Sequence, residues 1–342
     1  MNAMNLTTLF DEAKERKASD LHLASGETPC VRIAGKLVRL DMQPLDRAVL
    51  SAILEPVLPM EAKIRVDSGL PVEKTVIHGD LAFVGIFFRS GDDGIAATFR
   101  MLSNGVPPLE QIGEGALPLM NRIAETSRGL VLVTGPTGSG KWTTVCSILD
   151  KINGEKAARL FVVESHPNFR FGSKQSLVTQ LHVGQDCDSY TRALEIAQQA
   201  DLDVVALDDI PTAEALRQML ILAETGHLVI ANMHADSVVD ALQRLLGSAG
   251  SEAEALRRSL AQNLVAVTSQ RLFPRAQRSG RVPAYSWISA NPATREALLT
   301  GDLARLEELQ GTDPDCQSLN ATLDTLVAAG EVTEEAASIH RA

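Results

Sequence analysis

Leu130-Val131-Leu132-Val133-Thr134-Gly135-Pro136-Thr137-Gly138-Ser139-Gly140-Lys141-Trp142-Thr143 is the stretch on which the fold turns. An apolar run leads into G-x-x-x-x-G-K, and helical spacing follows from Thr143 to Ile152, so the motif stands in its required strand-loop-helix setting. Glycines let the backbone curl until successive N–H groups face phosphate oxygens, while the helix N-terminus and the Lys141 ammonium supply positive charge. Gly135, Pro136, Thr137, Gly138, Ser139, Gly140 and Lys141 are therefore the expected nucleotide contacts, with Trp142 and Thr143 completing the turn, and ATP with Mg²⁺ is the ligand implied. The motif asks next for Ser or Thr, whose hydroxyl ligates the metal bridging the β and γ phosphates, and Trp142 stands there instead. Its indole N–H only donates. Thr143 and Thr144 follow, but each helical step turns a side chain by about 100°, so neither points where Trp142 does.

Outward from this loop, Leu130–Val133, Leu160–Val163, Val204–Leu207 and Leu228–Ala231 are short apolar runs separated by amphipathic stretches. This pattern predicts a parallel sheet covered by helices. Upstream, a helix over Met1 to Lys17, short alternating segments at Asp20–Leu23 and Val31–Leu40, a helix over Asp46 to Arg65, and strands at Phe83–Phe88 and Ile95–Phe99 predict an α+β module. Asn104, Gly105, Pro107, Pro108, Gly113 and Gly115 predict a linker. The expected domains are thus 1–103, a linker 104–115, a core 116–290 and a helical segment 291–342.

The 342 residues exceed one ordinary core, and the 45% apolar, 22% charged composition excludes collagen, coiled coil and wholesale disorder. A net charge of -11 and only 9 Phe, 2 Tyr and 2 Trp argue against a nucleic-acid binder. Cys30, Cys146, Cys187 and Cys316 form no C-x-x-C pair, which predicts neither a zinc site nor a disulfide framework and fits a reducing cytoplasm. Nowhere do 18 consecutive apolar residues occur, so any membrane connection is expected to run through a partner.

Val131 to Lys141, Ser19-Asp20-Leu21-His22-Leu23, Ala223-Glu224-Thr225-Gly226-His227 and the following LVIANMHADS resemble, in order and over about Asp11 to Ala336, the PilT-like ATPases of type IV pili within the secretion ATPase superfamily. The resemblance implies an α/β chain: a PAS-like N-terminal α+β domain, then a RecA-like P-loop domain with a helical C-terminal segment. It also implies a homo- or hetero-hexameric ring at the cytoplasmic face of the inner membrane, docked to a pilus platform protein and driven by ATP.

Carried over residue by residue, the family's Glu-Asp-Pro box aligns with Glu164-Ser165-His166, which keeps the glutamate that polarises water. Its Walker B Gly-Glu aligns with Asp208 and Asp209, and the arginine two residues on becomes Pro211. Asp208 and Asp209 are the expected metal-holding acids, Asp208 in partial place of the lost hydroxyl, with Asp209 also at the catalytic glutamate position. His227 and His234 match the histidine box, which in the family senses the γ phosphate or the adjacent subunit. Family arginines that reach across subunits fall at Phe83, Gly85 and Asp93, and at Glu195 and Gln199, leaving Arg100; Arg192 and Arg217 are the remaining basic side chains nearby. A basic stretch, Arg271, Arg275, Arg278 and Arg281, reads either as a solvated loop or as a docking surface for an acidic partner. Three readings stay open: a nucleotide-binding ring subunit with impaired hydrolysis beside an intact paralogous ATPase, a fully active retraction or secretion ATPase, and an unrelated P-loop kinase, which the span of the resemblance disfavours.

Overall fold

The computed structural model describes residues 5–33, 35–79, 81–91, 94–102, 105–112, 114–248, 250–278 and 280–341. Expectations resting on Met1 to Met4, Asp93, Ser103, Asn104 or Gly113 lie outside them. The chain divides into two units, residues 1–105 with 167–170, and residues 106–166 with 171–342.

The first unit begins with α1 (Leu6–Glu15), closed at its start by a reciprocal Asn5–Thr8 capping box. β1 (Asp20–Ala24), β2 (Cys30–Ile33) and β3 (Lys36–Arg39) follow, then α2 (Arg47–Leu54), α3 (Met60–Asp67), β4 (Val72–His78), β5 (Leu81–Ser90) and β6 (Gly94–Met101). The helix expected over Asp46 to Arg65 is two helices. Pro56 and Pro59 interrupt it, since proline lacks the N–H that would continue the ladder and Pro59 takes the N-cap place of α3. β4 was not foreseen. The sheet is antiparallel in the order β3-β2-β1-β6-β5-β4, with Leu9, Phe10, Phe83, Phe87 and Phe99 in its core.

The second unit comprises α4 (Leu117–Glu125), β7 (Gly129–Gly135), α5 (Lys141–Glu155), β8 (Arg159–Glu164), β9 (Leu177–His182), α6 (Tyr190–Ala197), β10 (Val204–Leu207) and α7 (Ala213–Glu224). It continues through β11 (Leu228–His234), α8 (Val238–Ser248), α9 (Ala253–Asn263), β12 (Leu264–Pro274) and β13 (Arg281–Ser289) to α10 (Pro292–Thr300), α11 (Leu303–Thr312), α12 (Leu319–Ala328) and α13 (Glu334–Ser338). The sheet order is β13-β12-β7-β11-β10-β8-β9, parallel except for β13. All four predicted runs are its central strands, buried on both faces as parallel strands must be. β9, β12 and β13 extend it at either edge. Apart from Pro167–Arg170, residues from Val106 onward belong to this unit, where Ser147 Oγ donates to Pro107 O (2.6 Å) and Tyr285 OH to Ile112 O (2.7 Å).

One face of this sheet carries the large cluster formed with α6 to α11, including Leu132, Val163, Leu207, Met219, Val229 and Leu260. α5 covers the other with Val145, Ile148, Leu149 and Ile152, each at most 1% exposed. At about 1.5–3 kcal/mol for each buried aliphatic side chain, these layers hold the strand ends, and hence the loop after β7, in place.

Candidate functional site

β7 ends at Gly135, in a backbone conformation (φ 144°) that side chains rarely adopt, where a Cβ would stand 2.3 Å from Gln270 O. Gly138 (φ 75°) and Gly140 (φ 86°) are left-handed as well, so the chain curls into a loop and enters α5 at Lys141. Gln270 on β12 braces this loop from below: its Nε2 donates to Ser139 O (2.7 Å), and its Oε1 accepts from Thr144 Oγ1 (2.8 Å). Strand register puts it there, because β12 runs beside β7 with Ser269 opposite Thr134. Gln270 is one of four consecutive polar residues, Thr268 to Arg271, inside an otherwise apolar stretch, and the sequence does not single it out among them.

The Lys141 ammonium donates to Gly135 O and Pro136 O, both at 2.9 Å, and lies 3.5 Å from His234 Nδ1 at the end of β11. Burial lowers its pKa and the charge of Asp209 opposes that shift; the structure brings Lys141 and His234 into contact, with Asp209 near enough for its charge to act on the ammonium. Ser139 Oγ is buried without a partner. A curled loop with an unpaired hydroxyl and an ammonium held by two carbonyls and the His234 ring fits a phosphate chain.

Glu164 ends β8 and is 2% exposed. Trp142, 8% exposed, donates its indole N–H to Glu164 Oε2 at 2.9 Å, and Gln180 Nε2 on β9 donates to Oε1 at 2.8 Å. Gln180 is itself oriented by Phe171 N, which donates to its Oε1 at 2.9 Å. Burial pushes the Glu164 carboxyl up to about 7; the two N–H donors pull against that, and the charge of Asp208 adds to it. Trp142 and Glu164 thus touch, and Gln180 is a further residue of the site that the sequence did not reveal.

Asp208 Oδ2 accepts from Ser165 N (2.9 Å), Ser165 Oγ (3.1 Å) and His166 N (3.4 Å), while Tyr190 OH donates to Oδ1. Oδ2 is thereby saturated, whereas Oδ1 has the single donor Tyr190. Among the described residues no three or more His, Cys, Asp or Glu side chains are gathered as a metal cluster. His227 is not brought to the loop. It sits before β11, its Nδ1 2.9 Å from Leu222 O and 3.3 Å from Thr225 Oγ1 at the end of α7, whereas His234 closes the far end of the same strand, about 20 Å away at strand rise.

The arginines also find partners within the chain. Arg192 pairs with Glu195, and Arg217 with Glu214 and Glu252. Arg275 and Arg278 both hold Glu331 between α12 and α13. Arg271 bonds Asp236 O (3.2 Å) and lies 3.2 Å from His340 Nδ1, and Arg281 reaches Gly138 O (3.5 Å). The basic stretch is therefore mostly an internal tie to the C-terminal helices rather than a freely solvated loop.

Residues 96–327 match the family described as type II/IV secretion system protein. The type IV pilus retraction ATPase PilT of Pseudomonas aeruginosa is 31% identical over 97% of this chain and 96% of its own length. The twitching motility protein of Neisseria gonorrhoeae is 29% identical over 94% of this chain and 88% of its own. A crystal structure of the pilus retraction motor PilT with bound ADP aligns with a TM-score of 0.90 at 29% identity, covering 99% of this chain and 97% of that one. The fold is accordingly an N-terminal domain followed by a RecA-like ATPase domain with a helical C-terminus.

Proposed function

Since this chain belongs to the type II/IV secretion system family, as a PilT-like secretion ATPase, we propose that it is an ATP-binding ring subunit of a type IV pilus or related secretion machine whose hydrolysis is impaired. The observation that carries the impairment is the bond from Trp142 Nε1 to Glu164 Oε2. It fills the place of a metal-ligating hydroxyl with a donor-only ring, and it ties down the carboxylate that would orient water. If loss of metal placement removes about 4 kcal/mol of transition-state stabilisation, turnover falls about a thousandfold. Lys141, Asp209 and His234 gather at the loop and support nucleotide binding. The PilT structure bound to ADP makes the same class of ligand the natural one here.

In this reading the subunit joins a homo- or hetero-hexameric ring at the cytoplasmic face of the inner membrane. An intact paralogous ATPase supplies turnover, and a membrane-embedded platform protein receives the motion. No helix among the described residues is long and apolar enough to cross a membrane, in keeping with a platform partner that provides the span. The active-ATPase reading has one observation in its favour: a Glu164 carboxyl at about 7 suits a general base near neutral pH. Nucleotide binding and steady-state hydrolysis, measured on the unmodified chain beside Trp142→Ser, separate the two. Binding without turnover, rescued by serine, supports impairment, and robust turnover by the unmodified chain overturns it.

A further inference from the structure

Mg²⁺, implied by the fold family, would offset phosphate charge, and the residue after the loop lysine together with the acids at the ends of the neighbouring strands would hold it. Here that position is closed from both sides. The side chain of residue 142 spans the gap itself, because its indole nitrogen is 2.9 Å from Glu164 Oε2 and the ring is 8% exposed. A ring N–H presents hydrogen, not a lone pair, toward any ion placed there. The far oxygen of Glu164 is taken by Gln180, whose amide cannot turn over without losing the bond from Phe171 N. Asp208, next along the sheet, gives Oδ2 to Ser165 and His166 and shares Oδ1 with Tyr190. Mg²⁺ demands near-octahedral oxygen ligands and gives up its water reluctantly, and these residues do not fit it.

The phosphate half of the site is intact. The left-handed glycines, the unpaired Ser139 hydroxyl and the Lys141 ammonium all remain. From this split we infer that the site takes a nucleoside di- or triphosphate uncomplexed by a divalent cation, with Lys141 meeting the phosphate charge that the metal otherwise offsets. The inference rests on the nucleotide-binding reading proposed above and adds the ionic form of the ligand to it. It also assigns Trp142 a role in selecting that form, since the indole closes the cation position while leaving the loop amides open.

Calorimetric titration of the full chain with ATP and with ADP, once in EDTA and once in millimolar Mg²⁺, tests this without any requirement for turnover. The expected result is binding in EDTA that weakens by about tenfold or more for ATP in millimolar Mg²⁺, because the cation takes up the free nucleotide and the site competes with it for the uncomplexed form. An ATP Kd that Mg²⁺ leaves unchanged or tightens overturns the inference and leaves nucleotide binding standing. Heat from neither nucleotide in either condition overturns the nucleotide-binding reading itself. In Trp142→Ser, which reopens the position and restores a hydroxyl, Mg²⁺ is expected to tighten ATP by about tenfold or more. A folded serine variant whose ATP binding Mg²⁺ still weakens refutes the assignment of that selectivity to residue 142.

Discussion

Glu164→Gln exposes the energetic state of the site. Burial lifts this carboxyl from 4.5 to about 7, so ionising it in the folded chain costs free energy that the unfolded chain does not pay. Below the unfolded value both states hold the proton and the penalty vanishes. As the pH rises from 4.5 toward 7 the unfolded state releases its proton first and the folded state loses stability; above about 7 the loss is complete. With about 1.4 kcal/mol per pH unit, the penalty is about 0.8 kcal/mol near pH 5 and about 3 kcal/mol near pH 8. Glutamine has no charge to bury, but its amide faces two donors, Trp142 Nε1 and Gln180 Nε2, and satisfies only one of them. That mismatch costs about 1–3 kcal/mol at every pH. The stability of Glu164→Gln relative to the parent is therefore expected to improve by about 2 kcal/mol between about pH 5 and about pH 8. Urea unfolding followed by tryptophan fluorescence reads this directly, because Trp142 and Trp287, the only two tryptophans, both lie in the second unit. A difference between the two proteins that stays constant over that pH range refutes the assignment of a buried, proton-retaining carboxyl to Glu164.

Gly135→Ala is expected to destabilise the second unit by more than about 3 kcal/mol and to abolish nucleotide binding, since its Cβ would lie 2.3 Å from Gln270 O in a backbone region alanine avoids; thermal melting and calorimetry check both. Gln270→Leu leaves the Ser139 carbonyl and the Thr144 hydroxyl short of a buried partner and is expected to cost about 1–3 kcal/mol, read as a lower melting temperature together with weaker nucleotide binding. Glu331→Ala releases Arg275 and Arg278 at once, and hydrogen exchange is expected to quicken over α12 and α13 while the β7 amides keep their protection.

What the sequence made legible follows from how local each feature is. The loop was readable because left-handed backbone at Gly138 and Gly140 is a demand one residue type meets cheaply, and the four central strands because burial on both faces writes itself as unbroken apolar runs. β12 and β13 were less legible, since Thr268, Ser269, Gln270 and Arg271 interrupt their apolar character. Of these interruptions, Gln270 is the one whose side chain supports the loop. The position of His227 needed one further step: it precedes the strand that His234 ends, so one strand's length separates the two. The Trp142–Glu164 bond joins residues 22 apart in sequence, and no periodicity in either segment encodes it.

The strand ends also show where an acid has gone. Where the resembled family carries Asp after its glutamate, this chain has Ser165, and where the family carries Gly after its Walker B strand, it has Asp208. β8 and β10 are parallel neighbours with Val163 opposite Leu207, so Asp208 follows in register beside Glu164, and the next residue, Ser165, gives both its N–H and its hydroxyl to the Asp208 carboxylate. One negative charge thus persists near Glu164, but it comes from the adjacent strand and is held by donors from Ser165, His166 and Tyr190. Held in this way, Asp208 raises the Glu164 carboxyl and fixes the turn that follows β8. The two substitutions make one structural unit: reverting Asp208 to glycine alone strands the Ser165 and Tyr190 hydroxyls, whereas pairing it with Ser165→Asp returns an acid to the neighbouring position.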